Sequence, residues 1–168
     1  IPNQEVAKLY RGEIIERFAL AAGGRDRLRE LHRALVAGDA GVVASELESV
    51  LLRNASAFDL TSENSYHMLL MGLLFGVPGY GDPRSNREAG RGRFDIQLVP
   101  SAVSAPLVTV ELKWAREAGA EQLAALADEA LAQIADRAYD SEGDGRIVRY
   151  GIAFSGKHVA VAVEKMTR

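Results

Sequence analysis

The chain has no cysteine, so neither disulfides nor thiolate metal sites are open to it, and the absence fits a reducing compartment such as the cytoplasm. Its three histidines, His32, His67 and His158, stand too far apart in sequence to suggest a histidine zinc site. Any metal should therefore be hard and oxygen-ligated, Mg²⁺ or Mn²⁺. No apolar run approaches the roughly 18 residues that mark a membrane-spanning helix. An excess of positive charge is missing as well: the net charge is −3. A protein that coats nucleic acid through bulk electrostatics is excluded, and a nucleic-acid enzyme would need a local basic patch. No internal repeat or low-complexity segment is visible. The first residues, Ile1-Pro2-Asn3, lack an initiator methionine and read as a fragment or a processed product.

What is present is an ordinary globular composition, 48% hydrophobic and 26% charged over 168 residues. That length makes one domain, or one domain with a helical extension, and suffices for a real core. The first third reads as helices. Val6, Leu9, Tyr10, Ile14, Phe18 and Ala21 recur at helical spacing over residues 3–22, and Gly23-Gly24 ends the run. A second helix over 26–37 uses Leu28, Leu31, Leu35 and Val36. Asp39 is an N-cap for a third, whose apolar face is Val42, Val43, Leu47, Val50 and Leu51. These segments, residues 1–56, hold no polar constellation and read as a helical scaffold or docking surface.

From residue 57 to 168 the pattern changes. Thr61-Ser62-Glu63-Asn64 opens a fourth helix through Met68–Phe75, with Glu63 above Tyr66, His67 and Leu70. As a first-turn acid, Glu63 serves the helix dipole; as a side chain at a helix end, it also suits a site. Residues 78–93 form a Gly- and Arg-rich hairpin, and within its last ten residues Arg84, Arg87, Arg91 and Arg93 are opposed only by Glu88. That cluster suits either a nucleic-acid contact or a solvated hairpin tip. Two strands follow, joined by a loop over 100–106. In Phe94–Leu98, Asp95 and Gln97 share one face; in Val108–Trp114, Thr109, Glu111 and Lys113 share one. Glu111 and Lys113 then lie roughly 7 Å apart along the strand. If the strands are neighbours, Asp95 comes within roughly 5 Å of them across the ladder. Two carboxylates and an amine on one sheet face are the materials of a Mg²⁺-dependent phosphodiester-cleaving site; they serve equally as solubilising charges on a wet face.

Residues 118–139 predict a long Ala/Leu-rich helix with Gln133 and Tyr139 near its end, and 140–145 a loop. Strands over 147–154 and 158–163 close the chain. The helix between strands predicts a crossover to a parallel neighbour, hence an α/β sandwich around a mixed sheet. Gly151-Ile-Ala-Phe-Ser-Gly156-Lys157 satisfies the phosphate-loop spacing, but His158 stands where Ser or Thr is needed and a strand follows instead of a helix. It reads as a hairpin turn. No stacking platform or 2′-hydroxyl reader is recognisable in sequence, so RNA and DNA are not separated.

Taken together, Ile1–Val6, Glu63–His67, Ser85–Glu88, Gly92–Ile96, Glu111-Leu112-Lys113, Ala132–Ile134 with Tyr139, and Gly151–Phe154 with Gly156-Lys157 resemble the PD-(D/E)XK nuclease superfamily. The similarity is greatest to the branch found C-terminal to bacterial AAA-ATPase-like domains. It implies a restriction-endonuclease-like mixed β-sheet flanked by helices, with an N-terminal helical extension. It further implies a metal-dependent nuclease acting on DNA more than RNA, and an ATPase-like domain of the same parent chain as partner. The same fold, catalytically idle, would serve docking or regulation beside that ATPase. By this resemblance Asp95 and Glu111 bind Mg²⁺ or Mn²⁺, with the Leu112 carbonyl as a further ligand, and Lys113 orients or activates the attacking water. Glu63 corresponds to the acidic residue of the first core helix, which in some members helps hold metal; Glu63 or Glu88 would serve a second ion. Gln133 and Tyr139 resemble the Gln/Tyr pair of RecB-like members, at a spacing of six where that motif has four. Phe94 occupies the place of the motif's proline.

Overall fold

The computed structural model describes residues 4–54, 60–85, 88–89, 92–93, 95–137 and 145–167. The helices α1 (Gln4–Ala22), α2 (Arg25–Ala37) and α3 (Ala40–Arg53) come first. Gly38 closes α2 in the left-handed region (φ 74°), where a side chain would be strained, and its N–H returns to the Ala34 and Leu35 carbonyls. Asp39 then caps α3 by accepting from the Val42 N–H at 3.1 Å. The next helix, α4 (Glu63–Leu73), opens with a reciprocal capping box between Ser62 and Ser65.

The strands follow in chain order as β1 (Arg84–Ser85), β2 (Glu88–Ala89) and β3 (Gly92–Arg93), which pair with each other as a separate two-stranded sheet, then β4 (Ile96–Leu98) and β5 (Leu107–Trp114). After α5 (Ala120–Arg137) come β6 (Arg146–Ser155) and β7 (His158–Thr167). The five-stranded sheet runs β1-β4-β5-β6-β7. Only the β5/β6 pair is parallel, from Leu107↔Ile147 to Trp114↔Phe154, and α5 is its crossover. The phosphate-loop lookalike is the β6–β7 turn, with Ser155↔His158 closing it and Gly156 at φ 58°. This is the α/β, restriction-endonuclease-like architecture that the sequence predicts.

Each face of the sheet is covered differently. Ile96, Leu98, Val108, Val110, Leu112, Val148, Tyr150, Ile152 and Phe154 join Leu28, Leu35, Leu47, Leu51, Tyr66 and Leu70 of the helices in one core. The boundary drawn at 56/57 lies outside the described residues, and the parts on either side of it share this core. Tyr150 Oη donates to the Leu35 carbonyl at 2.8 Å, and the Val159 N–H to Glu48 Oε1 at 3.1 Å. On the other face α5 lies against Ala153, Ala160 and Ala162 through Leu123, Ala127 and Leu126.

Three expectations are corrected here. The wet face of the solubilising-charge alternative is largely dry: Gln97, Thr109 and Glu111 are 6%, 0% and 5% exposed, with Asp95 and Lys113 half-buried. A central strand with helices on both sides has no solvated face. Asp95 lies just before β4, not within a strand from residue 94. The apolar stripe of α1 is buried only in its second half: Val6, Leu9 and Tyr10 are 42%, 73% and 65% exposed, while Ala19 and Ala22 are in the core. Periodicity identifies a helix face but not where its packing partner ends.

Candidate active site

The β4/β5 register, Ile96↔Val110, carries Asp95 to the level of Glu111. Asp95 is held there by main chain. Its Oδ2 accepts from the Leu112 N–H at 2.8 Å, and its own N–H bonds the Glu111 carboxylate. Its carbonyl lies 3.1 Å from His67 Nε2, which in turn stands 2.8 Å from Ser85 Oγ. His67 is one turn after Glu63 on α4, so the helix start is fastened beside Asp95. Glu63, Asn64, His67, Asp95 and Leu112 line a cleft of about 130 Å³.

Glu111 and Lys113 sit on the face that α5 covers, and Gln133 joins them. Gln133 Nε2 donates to Glu111 Oε1, and Lys113 Nζ donates to Gln133 Oε1 at 3.0 Å. Glu129, one turn earlier on α5, is 3.7 Å from the same ammonium. This proximity depends on a glycine. Gly151 pairs with Glu111 across the parallel ladder, and a Cβ there would stand 2.0 Å from the Ala127 carbonyl oxygen. Only glycine lets α5 descend far enough for a glutamine to span Glu111 and Lys113.

The electrostatics describe a site short of positive charge. Burial pushes the Glu111 carboxyl up to about 8; the Asp95 charge adds to that, and Lys113, the Asp95 N–H and Arg137 oppose it. Burial also raises Asp95, against the Leu112 N–H, His67 and Lys113. Glu63, at the mouth of the cleft, is raised by partial desolvation and then by Asp95. One oxygen, Glu111 Oε2, is buried with no hydrogen-bond partner. Among the described residues no trio of His, Asp and Glu side chains stands in chelating geometry. The donor set nonetheless suits a hard cation: carboxylate oxygens, one of them orphaned, with the Asp95 charge raising both Glu111 and Glu63.

The predicted residues divide accordingly. Glu63, Asp95, Glu111, Leu112, Lys113 and Gln133 are brought together. Arg84 is exposed and opens instead onto a separate cleft of about 320 Å³ that it shares with Arg146. Arg87, Arg91, Tyr139 and the side chain of Arg93 lie outside the described residues. Asn64, His67 and Ser85 stand in segments that carry the resemblance but were given no role from sequence, and Glu129 was passed over. The i, i+4 spacing of Glu63 and His67 was a usable signal; the Ser85 and Glu129 contacts had none, being made across the fold.

An α/β fold that sets carboxylates and a lysine beside the end of a central strand defines a class of restriction-endonuclease-like proteins. The family model of the PD-(D/E)XK nuclease superfamily matches residues 61–164, and the chain belongs to that superfamily. No curated protein matches it. The helices α1 to α3 lie ahead of the matched segment, and no helix among the described residues is long and apolar enough to cross a membrane.

Proposed function

We propose that this domain hydrolyses phosphodiester bonds, DNA in preference to RNA, with Mg²⁺ or Mn²⁺ held by Asp95, Glu111 and the Leu112 carbonyl. The observation that carries the reading is the buried Glu111 carboxylate, whose Oε2 has no partner and whose neighbour across the ladder is another carboxylate. Leaving such an oxygen unsatisfied is costly, and a cation relieves both the desolvation and the repulsion. When bound, a divalent cation neutralises phosphoryl charge and lowers the pKa of water. The Leu112 N–H faces Asp95; because a residue in a ladder turns its N–H and C=O to the same side, the Leu112 carbonyl is offered to the cleft as well. Lys113 orients the attacking water and offsets negative charge on the phosphorane, and Gln133 holds its ammonium by accepting one of its hydrogens. Glu63 completes the ligand set from the helix side. As a basic cluster, Arg84, Arg87, Arg91 and Arg93 would contact the flanking backbone and, by the resemblance, Tyr139 the substrate; of these the structure describes the side chain of Arg84, on the separate cleft beside Arg146.

A second reading, a catalytically idle module that docks next to an ATPase domain of the same parent chain, is favoured by the exposed Val6, Leu9 and Tyr10 on α1. One experiment separates the two. Supercoiled plasmid and single-stranded DNA are incubated with the protein in Mg²⁺, in Mn²⁺ and in chelator, beside Lys113→Ala. Metal-dependent cutting that disappears in the variant supports the nuclease; no cutting, or cutting that survives the substitution, supports the idle module.

A further inference from the structure

Next to the carboxylate cleft, and sharing two of its walls, is an apolar groove. It lies between α1 and α4 with a volume of about 460 Å³, within the range of about 300–1,000 Å³ usual for ligand pockets. Phe18, Met68, Met71 and Phe75 supply its apolar lining. Asn64 and His67 line both hollows. Asn64, Met68, Met71 and Phe75 recur at helical spacing along α4 and its C-terminal turn, so one face of that segment runs from the carboxylates into the groove. Opposite it, the Phe18 ring lies on Gly72, where a Cβ would come within 1.9 Å of the ring. Met68 is 59% exposed although it stands amid apolar neighbours.

We infer that this groove receives an unpaired nucleobase of the strand whose phosphate lies in the carboxylate cleft. The inference rests on the nuclease reading above and narrows its substrate class to single-stranded or locally opened nucleic acid. Its argument is chemical. With a divalent cation held by the carboxylates, as proposed above, a ligand that spans the two hollows is anionic where it meets the cleft and flat and apolar a short distance away, with a hydrogen-bonding edge for the Asn64 amide at the shared wall. A nucleotide has those three parts in that order. Aromatic rings and thioethers stack on any base, and a base still paired within a duplex cannot enter such a slot. A partner helix laid in the groove would bury Asn64 and crowd Glu63 without supplying their polar partners, which is costly.

The test uses fluorescence anisotropy with a labelled twelve-nucleotide strand, free and as a blunt duplex, bound in Mg²⁺ to the Lys113→Ala protein. Single strand should bind at least tenfold tighter than duplex. Adding Met68→Asn, a neutral change at an exposed position, should reduce that ratio at least fivefold. Leu20→Asn, at a still more exposed apolar residue of α1 away from the groove, should leave it unchanged. A ratio near one in the parent protein, or a ratio that Met68→Asn does not move, overturns the groove as a base site whether or not the wild-type protein cuts DNA. A ratio that falls in Met68→Asn while the wild-type protein shows no metal-dependent cutting keeps the base site and overturns the nuclease reading.

Discussion

The two faces of the sheet solve opposite problems with the same strands. Toward α1–α4, β5 presents Val108, Val110 and Leu112 to a core that is mostly apolar, where Tyr150 is satisfied by a carbonyl. Toward α5, it presents polar residues: Thr109 and Glu111, equally removed from water, and Lys113, half-buried. There Gln97 Nε2 reaches Thr109 Oγ1 at 3.3 Å, Arg149 Nη1 reaches Glu164 Oε2 at 2.7 Å, and Gln133 spans Glu111 and Lys113. One atom of that face, Glu111 Oε2, is left without a partner. The first face stabilises the fold. The second holds charge in a dry place, where burial and like charge raise a carboxyl toward neutrality unless a cation arrives. A sheet buried on both sides can thus divide stability and chemistry between its surfaces.

Substitutions should separate the faces, the largest effect being on the α5 side. Glu111→Gln should lower metal-dependent plasmid cutting by at least about a hundredfold, the scale on which single electrostatic groups act, while circular dichroism stays unchanged. Retention of activity would remove Glu111 from the site. Gly151→Ala should act on both stability and site, because its methyl drives α5 off the sheet and separates Gln133 from Lys113. Overpacking of this kind costs about 1–3 kcal/mol or more, read as a drop in Tm, and turnover should fall with it.

The pH dependence sharpens the contrast further. In chelator, Glu111 moves from its ordinary 4.5 to about 8 on folding, so between those values the folded protein binds more protons than the unfolded one. Stability should therefore be full below about 4.5 and decline as pH rises toward about 8. Asp95 and Glu63, raised as well, act in the same direction. Saturating Mg²⁺ should flatten the decline, and Glu111→Gln should reduce it; thermal melts across pH check both. The smallest effect belongs to the core face. Tyr150→Phe removes a hydroxyl that binds Leu35 and should cost about 1 kcal/mol, a few degrees in Tm, with cutting unaffected.

Period-three-to-four spacing located α2 to α5, period two located β5 to β7, and the crossover rule made β5 and β6 parallel. The same alternation put Glu111 and Lys113 on one face and Asp95 on the matching face of the preceding strand. Other features were not legible for physical reasons. That Glu111 is dry depends on α5, which is far along the chain. Gln133 could be suspected by resemblance, but its contact with Lys113 depends on the missing side chain at Gly151. The roles of His67 and Ser85 arise from contacts between α4, β1 and the residue before β4. The exposed first half of α1 has the same periodicity as its buried half.

Composition and alternation, which are local properties of a chain, determined that this protein would be α/β, would carry hard oxygen donors and a lysine on one strand surface, and would have no thiolate site. Only the tertiary structure decided that most of this surface is buried, that one carboxylate oxygen in it is unpartnered, and that an apolar groove opens beside it. Desolvation and close approach are set by what packs across the fold, and a sequence lists residues without their distances.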